Sequence, residues 1–133
     1  MTDDELIAEV RKHWEHWAGH LGLQNWVFVF EPVKGKDFNL QSHSQVDDRG
    51  YKRVLVKVSL TPDWNKYDGD HGISRHVLHE TLHVVTDSMR SLAFNYMGRK
   101  LFQEWAATEE YAVDELAAIV HRLHMETGCK IGD

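Results

Sequence analysis

An α+β domain in the order α-β-β-β-α-α is the fold class this chain predicts, and three patterns carry the prediction. Apolar residues step by four and three near the start, alternating runs fill the middle, and helical spacing returns over the second half. The 133 residues contain no repeat, low-complexity segment or linker, so a single domain over 1–133 is expected.

The first helix opens at Thr2, whose spacing from Glu5 reads as a capping box. Leu6, Val10, Trp14, Trp17 and Leu21 form its apolar face, with the two tryptophans as core anchors; Gly19 and Gly22 are expected to stop it. "NWVFVFEPV" (25–33) is apolar on both alternating faces and reads as an interior strand. "FNLQSHSQV" (38–46) alternates more weakly, and "DDRG" (47–50) is turn material. In "YKRVLVKVSL" (51–60), Val54, Val56, Val58 and Leu60 share one side, and together with the preceding run this suggests a hairpin. The expected sheet is therefore small and mixed or antiparallel. A polar, aromatic loop (61–72) precedes a second helix at about 73–90, a bend around "SLAFNYMGRK", and a last helix at about 102–125.

Composition narrows the function classes. A formal net charge of -6, with Lys and Arg scattered, lacks the basic stripe that phosphate binding needs, so no nucleic-acid partner is expected. "MTDDELIAEV" has neither a basic nor an apolar signal region, and no run is long enough to span a bilayer; a cytoplasmic setting without membrane association is expected. One cysteine, Cys129, builds neither an internal disulfide nor a multi-cysteine metal knuckle. The chain instead spends ten residues on histidine.

Three of those histidines lie in "HVLHETLHVV" (76–85), where His79, Glu80 and His83 form an HExxH pattern. On a helix the two histidines are one turn and about 40° apart, so both imidazoles reach one ion. Glu80 sits about 100° round, beside the ligand face, where it reaches an activated water. Leu78, Leu82, Val85 and Met89 form a separate face, expected to meet the core. Chance alone gives an HExxH in about one such chain in twenty, so a third ligand must be found before zinc is credible. "EEYAVDELAA" in the last helix offers one. Glu110 has Asp114 one turn on, which pairs a ligand carboxylate with an acceptor for a histidine N–H. Glu109 is the rival, with Val113 four residues on.

"HETLH" followed by Glu110 and Asp114 resembles the gluzincin clan of thermolysin-like zinc metallopeptidases, over little more than residues 76–118. The "ExxVDxLA" of 110–117 is also similar to the ExxANxFA of ImmA/IrrE-like peptidases. The resemblance implies a minimal, single-domain zincin-like fold, its small sheet packed on an HExxH helix and a glutamate helix. It implies one Zn²⁺ per chain on His79, His83 and Glu110, Glu80 as general base, and Asp114 orienting a ligand. It also implies an edge strand that pairs with an extended peptide or protein substrate, matched here to "RVLVKVSL". A metzincin needs Gly and His where Thr86 and Met89 stand, and a deformylase needs a cysteine upstream of the helix. SprT-type proteins carry a zinc ribbon, which one cysteine cannot build.

Gluzincins usually add a His, Tyr or Arg that stabilises the oxyanion; Tyr67, His71, Tyr96, Tyr111 and His121 are all available for that place. His76, Tyr67 and Tyr111 are further expected to line the cleft, and Trp64 and Tyr67 offer loop aromatics to substrate or to packing. His13, His16 and His20 are expected to be solvated or half-buried, and His121 and His124 to sit near a helix C-terminus where imidazolium is favoured. The expected activity is metal-dependent peptide-bond hydrolysis. The alternative is a zinc-binding regulatory module that does not hydrolyse.

Overall fold

A computed structural model describes residues 2–33, 42–48, 52–59 and 72–128. The domain is α+β and mostly helical: α1 (Asp3–His20), β1 (Val27–Val33), β2 (Ser42–Asp48), β3 (Arg53–Ser59), α2 (Gly72–Tyr96) and α3 (Arg99–Glu126). The expected positions Leu60, Trp64, Tyr67, His71 and Cys129 lie outside the described residues.

The capping box at the start of α1 is complete. Glu5 N–H donates to Thr2 Oγ1 at 3.2 Å, and Thr2 N–H donates to Glu5 Oε2 at 3.3 Å, which satisfies two otherwise orphaned donors. At the other end Gly22 has φ +76, and Leu23 N–H turns back to Ala18 O at 2.8 Å. This left-handed closure suits a residue without a Cβ, and it folds the buried Leu23 under the helix. Gly19, by contrast, is helical. Leu6, Val10, Trp14 and Trp17 are buried, with Leu21 packed against them.

The three described strands run in the order β1-β3-β2, with β1 parallel to β3 and β2 antiparallel to it. The hairpin of the second and third runs is present, with an irregularity between Val46 and Asp48. Two expectations need correction. β3 is the central strand, not the edge: both of its sides carry ladder partners, so an extended peptide cannot pair with it. β1 is paired on one side only among the described residues, although its apolar run suggested an interior strand. Pro32 explains this, since a residue without an N–H fits an edge far better than a doubly paired strand. Phe28 and Phe30 come from β1 to meet Trp14 edge-on, with centroids 5.5 and 6.1 Å away. Val54, Val56 and Val58 are fully buried, as the β3 alternation requires.

α2 runs six residues beyond the expected Arg90 and stays helical through "SLAFNY". Met97 and Gly98 then link it to α3. The contacts Ser74–His121, His83–Glu110 and Phe94–Phe102 run in opposite chain directions, so α2 and α3 form an antiparallel hairpin of helices. The core face of α2 also differs from expectation. Leu78 and Leu82 are buried, but Val85 is 48% and Met89 62% exposed. Ile73, Val77, Thr81 and Val84 fill the core instead, on the side of the helix opposite His79 and His83. Thr81 is tolerated there because its hydroxyl donates to the carbonyls of Val77 and Leu78 at 3.0 and 2.8 Å.

Candidate metal centre

α2 supplies two imidazoles and α3 three carboxylates to one cluster. His79 Nε2 lies 2.7 Å from Glu110 Oε1, and His83 Nε2 lies 3.0 Å from Glu110 Oε2. The two Nε2 atoms are 3.1 Å apart. His79, His83 and Glu110 therefore each direct one ligand atom at a common point. In a tetrahedron of zinc–nitrogen bonds near 2.0–2.1 Å, ligand atoms stand about 3.3 Å from one another. The donor set is close to that spacing before any ion is added, and its nitrogen and oxygen chemistry suits a borderline divalent metal.

The opposite ring nitrogens are held separately. His83 Nδ1 meets Glu109 Oε1 at 2.9 Å, and His79 Nδ1 faces Asp114 Oδ1 at 3.5 Å, the distance of an ion pair rather than a good hydrogen bond. The Glu109 carboxylate at His83 Nδ1 places the ring proton there and leaves the Nε2 lone pair directed at the shared point, and Asp114 faces the corresponding nitrogen of His79 at longer range. Glu109 is itself braced: the Thr86 hydroxyl donates to its Oε1 at 2.8 Å, and the Arg90 guanidinium stands 3.5 Å from its Oε2. Glu109 and Glu110 thus occupy different places, one buried against His83 Nδ1 and one at the convergence point. The sequence favours Glu110 as the ligand with Glu109 as its rival, and the convergence falls on Glu110. Thr86, Arg90 and the position of Glu109 were missed altogether. A signal existed, because Glu109 shares a stripe with Val113, Ala117 and His121, and a carboxylate on a buried stripe needs partners.

The site is open on one side. The His79 and His83 side chains are 16% and 17% exposed, whereas Glu110 and Asp114 are 57% and 69% exposed. Glu80 is buried on α2 next to His79. His76 stacks parallel to His79, with centroids 6.5 Å apart, and stands outside the converging trio. Tyr111 is exposed beside Glu110. Tyr96 is exposed at the end of α2, about 20 Å along the axis from His83. His121, five residues before the end of α3, is buried, with Nε2 3.1 Å from Ser74 Oγ and its ring beside Trp17. No helix among the described residues is long and apolar enough to cross a membrane. No protein-family model matches the chain, and neither does any curated protein or solved structure.

Proposed function

We propose that this chain is a zinc-dependent metallopeptidase with a zincin-like fold, in which His79, His83 and Glu110 hold the ion and Glu80 is the general base. One observation carries the reading: two Nε2 atoms and one carboxylate converge while a separate carboxylate faces each Nδ1. A cluster that only satisfied its own charges has no need of that division. When bound, zinc polarises a scissile carbonyl and lowers the pKa of water toward neutrality. Glu80, one residue beyond His79, takes a proton from the attacking water and returns it to the leaving amine. Asp114 and Glu109 keep the imidazoles in the tautomer that binds metal. Tyr111, exposed beside Glu110, is the remaining described candidate for the oxyanion.

The substrate strand is reassigned from β3 to β2. β2 is antiparallel to β3, packs on α2, and has no described strand on its other side, so an extended peptide adds there by main-chain hydrogen bonds. Incubation with a mixed peptide library, with and without chelator, tests the activity. Cleavage that chelator abolishes and added zinc restores is expected, with Glu80→Gln silent. A chain that holds one zinc on these ligands and never cleaves returns the reading to the regulatory module, which the positions of Tyr96 and His121, both removed from Glu110, favour.

A further inference from the structure

A second histidine cluster lies at the other end of α3. His16 and His20 stand four residues apart on α1, the chelating spacing that also relates His79 to His83, and His124 reaches them from the last turn of α3. The ring centroids are 4.6, 4.8 and 4.8 Å apart, a nearly equilateral triangle, and one ligand nitrogen from each ring lies within 4.8 Å of the other two. His16 Nε2 and His124 Nε2 are 2.8 Å apart. A hydrogen bond between two neutral imidazoles accounts for that pair but not for the third ring, brought equally close. Trp17 walls the group, with centroids 5.0 Å from His16, 6.3 Å from His20 and 4.7 Å from His124. His20 is exposed, so a fourth coordination position opens to solvent.

We infer that His16, His20 and His124 form a second metal site, for a divalent d-block ion such as Zn²⁺, Ni²⁺ or Cu²⁺. Three neutral imidazoles with no carboxylate suit those ions and discriminate against Mg²⁺ and Ca²⁺, which require oxygen. The site is distinct from the HExxH centre, since His124 follows Glu110 by fourteen residues, about 21 Å along a helix. It also has a mechanical consequence. α1 and α3 each pack chiefly on α2, and His16 and His124 are 108 residues apart, so an ion here clips the C-terminal end of α3 to α1 and closes a long loop.

The test is zinc stoichiometry and melting temperature of the metal-stripped full chain titrated with ZnCl₂. Wild type is expected to take up about two equivalents, His79→Ala/His83→Ala about one, and His20→Asn/His124→Asn about one. Exposed His20→Asn alone guards against loss of folding, because it removes a ligand without touching the core. In the His79→Ala/His83→Ala chain, zinc should raise the melting temperature and shift the ring ¹⁵N resonances of His16, His20 and His124, and His20→Asn should abolish both effects. Unchanged zinc uptake after His20→Asn/His124→Asn, or ring shifts at other histidines, overturns the inference. Because that background lacks the first site, failure of the peptidase reading leaves this result intact, and the reverse also holds.

Discussion

At Glu109 and Glu110 two adjacent carboxylates of one helix are given different work by about 100° of rotation. Glu110 meets both Nε2 atoms, and Glu109 receives the outer nitrogen of His83. Loss of a group that orients a ligand typically weakens metal binding by about 10–100-fold, so Glu109→Ala should fall in that range and Glu109→Gln, which keeps an acceptor, below it. Glu110→Ala should be worse than either. Competition titration with a chromophoric chelator ranks the three, and a more damaging Glu109→Ala would exchange the two roles. Glu80→Gln should retain zinc while peptide cleavage drops by about 10²–10⁴-fold, the usual share of a positioned proton acceptor; a kinetic assay beside metal analysis separates the two. His79, Glu80 and His83, and separately Glu110 with Asp114, could be picked out in the sequence because helical spacing sets positions within each helix, although it does not set how the two helices meet. The place of Glu109 could not, because it depends on how α3 lies against α2 and so brings Thr86 and Arg90 across to it.

Along whole elements, the helices were legible in position and type, and their packing faces were less so. The α2 sequence offers two apolar stripes, and periodicity cannot say which one neighbours will cover. Val77, Leu78, Thr81 and Val84 are buried in the core that α2 builds with its neighbours, while Val85 and Met89 remain exposed farther along. Leu78→Ala should therefore cost about 2–5 kcal/mol, as truncations in filled cores do, whereas Met89→Ala should stay within about 0.5 kcal/mol. Urea unfolding of the two variants, compared at equal metal content, decides it; equal losses would restore the stripe that the sequence suggested. The same logic governs β1 and β3. Apolar alternation says that a strand is wanted by the core, but neither sheet order nor edge position follows from it. Pro32 was the local cue that β1 lies at an edge.

For the molecule as a whole, the three-histidine cluster and the sheet order are contacts between distant segments, which no local pattern encodes: Trp17, His20 and His124 meet only because α1 and α3 both lie on α2. That packing also sets a pH dependence. Burial holds the His13 imidazole below its ordinary pKa, against the opposing pull of Glu9, and its Nδ1 is buried without a hydrogen-bond partner. Burial does the same to His16 and His124, with their neighbouring histidines adding to it. For each of these groups the folded chain takes a proton less readily than the unfolded chain. Above the unfolded value, about 6.5, neither state is protonated and the stability is fully present; as pH falls through that value the unfolded state gains protons that the folded state refuses, and stability is lost. Glu9, lowered chiefly by its hydrogen bond to Lys12, acts in the same direction but only in the more acid carboxylate range. In the metal-stripped chain, His13→Met removes one of these groups while keeping an apolar body of similar bulk. Its melting temperature relative to wild type should rise steadily as the buffer is taken from about pH 7.5 to about pH 5.5. A difference that stays constant, or shrinks with acid, would mean that His13 is protonated as easily inside the fold as outside it.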